Sequence, residues 1–161
     1  MSLRLTPLMR RCRTLALALV AAVISGCGDA PRSRPEVETA SGPPKRIVSL
    51  APNVTEILFA LDLGDRVVGV TTQDNYPPEV ASKEKVGDAS SNIEKVLSLK
   101  PDLVIGHAFL NSRALDALKT LGVPVLGVEA KDLASTKESV REVAARCGVK
   151  DRGDEIADGM D

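Results

Sequence analysis

The chain has 161 residues, 43% of them apolar and 27% charged, with a formal net charge of −1. That length holds one ordinary domain and little more; the composition excludes a disordered or fibrous chain, and the charge balance offers nucleic acid no basic face. Aromatic residues are scarce: Tyr76 is the only tyrosine, beside two phenylalanines and no tryptophan.

Residues 1–26 read as a secretory signal. Arg4, Arg10, Arg11 and Arg13 precede the apolar run "LALALVAAVI", and "SGC" follows: a basic start, a short apolar core and small residues before a cut site. The run is shorter than the roughly 20 apolar residues of an ordinary spanning helix. The Arg10 and Arg11 pair carries little weight as a twin-arginine signal. "ISGC" resembles the lipobox of bacterial lipoproteins, and the resemblance makes Cys27 the lipid-attachment residue. The expected product is exported, a periplasmic or cell-surface lipoprotein held to a membrane by its anchor. An ordinary signal with a chance cysteine is the alternative. Without the signal, 17 Lys+Arg face 22 Asp+Glu, a net charge of −5. Cys12 leaves with the signal and Cys27 is taken by lipid, so Cys147 has no disulfide partner. Its helical spacing from Val140, Val143 and Ala144 predicts a buried apolar role.

Residues 27–44 are expected to be the lipidated cysteine and a flexible tether. Residues 28–44, "GDAPRSRPEVETASGPP", carry four prolines and almost nothing aliphatic, and as a coil would reach roughly 20–25 Å. From Lys45 the pattern changes. "RIVSL", "RVVGV", "DLVIG" and "VPVLGV" are short β-branched runs that predict four strands. "PNVTEILFALDLG" places Ile57, Leu58 and Leu61 on one helix face and ends at Gly64, a C-cap candidate. "SNIEKVLSLK" opens with Ser91 and Glu94 in capping-box spacing, with Ile93, Val96 and Leu97 behind them. "NSRALDALKTLG" carries Leu115, Leu118 and Leu121, and "DLASTKESVREVAARCG" ends at Gly148. Continuous apolar strands alternating with amphipathic helices predict an α/β fold, a parallel sheet sandwiched by helices. The final "DRGDEIADGMD" has no terminating pattern. It reads as a frayed tail or as an interrupted element of a longer chain.

In a parallel sheet the loops after the strands share one edge, where ligands bind. Those loops are "SLAPNVTE", "TTQDNYPPEV", "GHAFLN" and "VEAKDL", so Tyr76, His107 (the only histidine) and Phe109 are expected at one rim. A lone histidine at a strand end is more often a hydrogen-bonded rim residue than a metal ligand, and no second ligand lies at metal spacing. No G-x-G-x-x-G, no phosphate-binding G-x-x-x-x-G-K-[ST] and no G-x-S-x-G elbow is present, so the chain is not expected to be an enzyme. Asn53-Val54-Thr55 fits the N-glycosylation pattern, which a bacterial lipoprotein would not ordinarily use.

"RIVSLAPNVTEILFALDLGDRVVGVTTQDNYPPEV", "KVGDASSNIEKVLSLKPDLVIG" and "LKTLGVPVLGVE" together resemble the N-terminal lobe of bacterial substrate-binding proteins for vitamin B12, haem and iron siderophores. The resemblance spans residues 45–148. It implies two α/β lobes joined by one long helix, with the ligand in the cleft between them and passed on to an ABC permease in the cytoplasmic membrane. Residues 149–161 would then begin a truncated connecting helix, with a second lobe missing. The ligand implied is a corrinoid, a vitamin B12-like cobalt chelate, with a ferric siderophore or haem as the alternative. No cofactor, no nucleic-acid partner and a monomeric state are expected. Pro52, Gln73, Tyr76, Asp88 and His107 are carried over as ligand-facing residues. Gln73 stands where cobalamin binders commonly place an aromatic, and Asp88 and His107 lie near other such positions. Glu94 corresponds to an acidic residue that meets permease arginines; closing the capping box of Ser91 is its other reading. From different classes, a single-domain α/β hydrolase and a surface lipoprotein without a ligand remain as competitors.

Overall fold

The computed structural model of the protein describes residues 42–88 and 92–160. The expected signal, Cys27, most of the tether and Ser91 lie outside the described residues. Strands β1 (Ile47–Ser49), β2 (Val67–Val70), β3 (Glu84–Lys85), β4 (Leu103–His107) and β5 (Val125–Val128) form one sheet in the order β3-β2-β1-β4-β5. All four pairings are parallel, with Ile47 opposite Leu103 and Val104 opposite Val125. Five helices accompany them among the described residues: α1 (Pro52–Ala60), α2 (Ile93–Ser98), α3 (Ser112–Thr120), α4 (Leu133–Cys147) and α5 (Lys150–Asp158).

The central strands are apolar on both faces because both faces are covered. On one side Ile47, Leu103 and Ile105 pack against Val54 and Leu58 of α1 and Val140, Val143 and Cys147 of α4. On the other, Val48 and Val104 meet Val96 of α2 and Ala114, Leu115 and Leu118 of α3. The predicted sandwich is the observed fold. Four strands were expected and five are present. The added β3 is two charged residues, Glu84 and Lys85, pairing with Gly69 and Val70. A charged two-residue edge strand leaves no apolar pattern to read.

Several helix ends differ from expectation. Pro52 occupies the first turn of α1, where its missing N–H costs nothing. That helix stops at Ala60 rather than running to a cap at Gly64; Asp62 takes the left-handed conformation (φ 59°) and Gly64 opens a 3-10 turn. The cap of α2 is Asn92, whose side-chain oxygen accepts from the Lys95 N–H at 3.0 Å. Lys95 stands opposite the cap and its ammonium cannot accept, while the Asn92 N–H donates to the Val86 carbonyl, so the helix starts with a one-sided cap in place of the expected Ser91–Glu94 box. Leu121 closes α3 with 59% of its surface exposed instead of joining Leu115 and Leu118 inside.

Helix α4 does begin with a capping box. The Asp132 carboxylate accepts from Ser135 N–H (2.7 Å), and Ser135 Oγ accepts from Asp132 N–H (3.0 Å). It ends at Gly148 with φ 77°, as expected of a left-handed C-cap. Residues 150–158 are helical and turn back along α4. Gly153 lies against Ala144, while Arg141 pairs with Asp154 (3.5 Å) and Asp158 (2.6 Å), so the two helices are antiparallel. The frayed-tail reading is thereby corrected. The folded unit also begins slightly before Lys45: Pro43 lies against Gly148 and the Pro44 carbonyl accepts from Arg66 at 3.4 Å.

Candidate functional site

Because every strand runs the same way, the loops after β1, β2, β4 and β5 emerge at one edge. The strand order reverses between β1 and β4, and the crevice outside such a switch point is where open α/β sheets bind ligands. A cavity of about 80 Å³ lies there, lined by Leu50, Ala51, Pro52, Thr71, Gln73, Leu110 and Asn111. The expected ligand-facing residues Pro52 and Gln73 meet in it.

His107 closes β4 beside this crevice. Its N–H donates to Asn111 Oδ1 at 2.7 Å, and its Nδ1 accepts from the N–H groups of Phe109 (3.2 Å) and Leu110 (3.4 Å). An accepting Nδ1 carries no proton in the neutral ring, so Nε2 does. The ring thus shapes the β4 loop, which is the hydrogen-bonded rim role expected of it. Asn111 precedes a helix and would be read as its cap. Its side chain turns instead to the strand and makes no cap bond to α3. That residue, with Leu50, Thr71 and Leu110, was missed in the sequence, since only the crossing of separate loops brings them together.

Tyr76 does not share this crevice. With 62% of its surface exposed, it stands at a second, larger groove of about 320 Å³. Asn53, Glu56, Ile57 and Ala60 of α1 line it, together with Ala130, with Thr136 and Val140 of α4, and with Ile156 and Met160. The expected rim position of Tyr76 holds, although its nearest surroundings are helices rather than the Gln73 pocket. The Tyr76–Pro77 peptide is cis. Asp88 is exposed on the loop after β3, and Glu94 is exposed in the first turn of α2; neither lines these two cavities.

The edge is both apolar and acidic. Among the described residues five large apolar side chains are exposed, and Tyr76, Phe109, Leu110 and Leu133 of these lie at the carboxyl edge. The loops at this edge carry the exposed Glu79, Asp88, Glu129 and Asp132 and the buried Asp74, with Lys131 beside them and Lys85 of β3 donating to the Asp74 carbonyl at 3.1 Å. Lys131 lies 2.6 Å from Glu129 and holds that carboxyl below its ordinary range, while the Ser135 hydroxyl and N–H do the same for Asp132. Both are ionised at neutral pH. Such a surface offers apolar contact beside hydrogen-bond acceptors.

Compared with known proteins, residues 47–161 match the family model for periplasmic binding proteins. The chain is 40% identical over 168 aligned positions to the uncharacterized ABC transporter substrate-binding lipoprotein YvrC of Bacillus subtilis (strain 168), covering 90% of this chain and 54% of that one. Among solved structures it is similar to the periplasmic vitamin B12 binding protein BtuF of Vibrio cholerae, with a TM-score of 0.68 and 35% identity over 73% of this chain and 47% of the other. It is also similar to the periplasmic heme-binding protein RhuT from Roseiflexus sp. RS-1 in apo form, with a TM-score of 0.65 and 35% identity over 71% and 45%. The chain spans about half the length of these relatives.

Proposed function

The chain belongs to the periplasmic binding protein family, and on that premise we propose that it is the ligand-binding component of an ABC importer, with a corrinoid as its ligand. The observation that carries this reading is the uncovered carboxyl edge. Three loops present Tyr76, Phe109, Leu110 and Leu133 to solvent at the place where this architecture takes ligands. The crevice of about 80 Å³ is far below the 300–1,000 Å³ of an ordinary small-molecule pocket. On this reading it is half of a cleft whose other wall belongs to a second lobe. The course of α5 supports that arrangement. It returns antiparallel to α4 and brings Ile156 and Met160 to the groove that Tyr76 lines, so this part of the chain is directed to the carboxyl edge.

Charge favours the corrinoid over an anionic chelate. At this edge four exposed carboxylates, Glu79, Asp88, Glu129 and Asp132, outnumber the ammonium groups of Lys85 and Lys131. A haem brings two propionates and a ferric catecholate is more negative still, so both meet like charge. The periphery of a corrinoid carries amides, whose N–H groups donate to such acceptors. Haem is the second reading, favoured by the likeness to RhuT. Export and a lipid anchor at Cys27 go with the proposal, as does docking of the exposed Glu94 on a permease. The test joins residues 43–161 to the remainder of the Vibrio cholerae vitamin B12 binding protein and titrates the chimera with cyanocobalamin, haemin and a ferric catecholate. Saturable cyanocobalamin binding with no haemin binding is expected. Haemin binding alone would transfer the assignment to the second reading, and binding of none of them by a folded chimera would end it.

A further inference from the structure

We propose that Asp74 is a positioning residue that holds the Tyr76 loop in its ligand-facing place. The inference rests on the reading of the carboxyl edge as the binding face. Asp74 lies two residues before Tyr76 in an exposed loop, yet only 6% of its own surface is exposed. Its Oδ1 is buried with no hydrogen-bond partner among the described residues, so the donors that hold this carboxyl inside all converge on the other oxygen. One oxygen, Oδ2, accepts both the N–H of Thr71, at 2.8 Å, and the Thr71 hydroxyl. The same hydroxyl oxygen accepts from the N–H of Gln73 at 3.2 Å, and the Asp74 N–H returns to the Thr71 carbonyl at 3.4 Å. Residues 71–74 are thus closed into a ring whose hub is the Asp74 carboxylate.

The ring is tied to the sheet at two points. Thr71 directly follows β2, so its backbone direction is set by the strand. From β3, Lys85 Nζ donates to the Asp74 carbonyl at 3.1 Å. The hub therefore joins the end of β2, the edge strand β3 and the backbone that leads into Asn75 and Tyr76. Tyr76 has little packing of its own, and a ring 62% exposed cannot order the loop that carries it. Its direction has to be imposed from behind, and Asp74 is the buried polar group that does so. Gln73, the crevice residue, is held by the same ring. Asp74 touches neither cavity; its effect on a ligand passes through Gln73 and Tyr76.

Tyr76 reports on this directly, because it is the only tyrosine in a chain without tryptophan. Time-resolved fluorescence anisotropy of the full chain reads the order of that one ring with no ligand present. Asp74→Ala should lower the slowly decaying part of the anisotropy about twofold. Asp74→Asn, which keeps a carbonyl oxygen for the Thr71 donors, should restore most of it. Thr71→Val removes the hydroxyl from the other side of the ring and should loosen Tyr76 as Asp74→Ala does, which keeps the proposal testable if that variant fails to fold. Leu118→Ala, a core truncation on the opposite face of the sheet, should destabilise the fold yet leave the anisotropy at the wild-type value. Unchanged anisotropy in both Asp74→Ala and Thr71→Val overturns the proposal. An equal loss in Leu118→Ala overturns it too, since loosening would then follow stability rather than the ring. The ligand titration of the chimera is a separate measurement, so a failed corrinoid assignment and a failed positioning role give different results.

Discussion

At the scale of single residues, exposure separates roles that residue type leaves mixed. Tyr76 and Cys147 are both residues a sequence reader would inspect for function. Cys147 is fully buried in the core between α4 and the sheet, and burial pushes its thiol up to about 11. The thiolate is the reactive form, so iodoacetamide at pH 8 should leave the Cys147 peptide unlabelled in the folded chain and label it in urea. Labelling at equal rates in both states would show that the site opens freely. Tyr76 is the converse case. A buried large aromatic costs about 3–5 kcal/mol on truncation to alanine, whereas an exposed one costs about 1 kcal/mol or less. Tyr76→Ala in the chimera should keep its melting temperature within a few degrees and weaken ligand binding. A large fall in stability with unchanged affinity would make Tyr76 structural.

At the scale of elements, the helix ends and the α4–α5 pairing decide how the edge is built. The Asp132–Ser135 box starts α4 immediately after the loop that carries Glu129 and Lys131. Hydrogen bonds from Ser135 lower the Asp132 pKa in the folded protein. Its contribution to stability is therefore present above the unfolded carboxylate pKa and is lost as pH falls through the lower, folded value. Asp132→Ala should unfold in less urea than the wild type at pH 7, and the gap should narrow below roughly pH 4. A gap that widens in acid would contradict the cap assignment. Gly153 tests the helix pairing. Alanine ordinarily favours a helix interior over glycine by about 1 kcal/mol, but a Cβ here would lie 2.2 Å from Ala144 Cβ. Overpacking of that kind costs about 1–3 kcal/mol, so the clash should win and Gly153→Ala should lower the urea midpoint. A raised midpoint would mean that α5 does not pack closely on α4.

At the scale of the whole molecule, the folded α/β unit accounts for the sheet and its edge, and the N-terminal pattern accounts for where the protein would work. The basic start, the apolar run and "ISGC" motivate a lipid anchor, and a tether ending before the packed Pro43 would hold the folded unit about 20 Å from a membrane surface. Labelled fatty acid should enter the protein in a bacterial host, and Cys27→Ser should abolish the incorporation. Label that persists in the variant would exclude Cys27 as the anchor. Short reach matters for the proposed transfer, because a tethered donor meets its permease at a high effective concentration without strong contacts.

Much of the fold was legible because its signals are local. Four β-branched runs, the helical spacing of Leu115 and Leu118, and Gly148 as a stop each depend on a few neighbouring residues, and covering both faces of a parallel sheet follows from continuous apolar strands. The rim position of Tyr76 followed in the same way, since every loop after a parallel strand reaches one edge. Other features needed the tertiary structure. Glu84 and Lys85 form a strand only because β2 offers them an edge, and Asn92 rather than Ser91 caps α2 because the backbone turns one residue later. Asn111 serves His107 instead of its own helix, and Gln73 and Tyr76, three residues apart, open onto different cavities. Asp74 has the composition of a solvated loop residue, yet it is buried as the hub of a ring of donors. Sequence by itself determined which segments become strands and helices, because propensity and periodicity act within one or two turns. Which loops meet was decided by strand order, because the crevice joins Pro52, Gln73 and Leu110 from positions tens of residues apart. The short-range pairs of Asn111 with His107 and Asp74 with Thr71 follow instead the path of irregular loops, which periodicity does not encode.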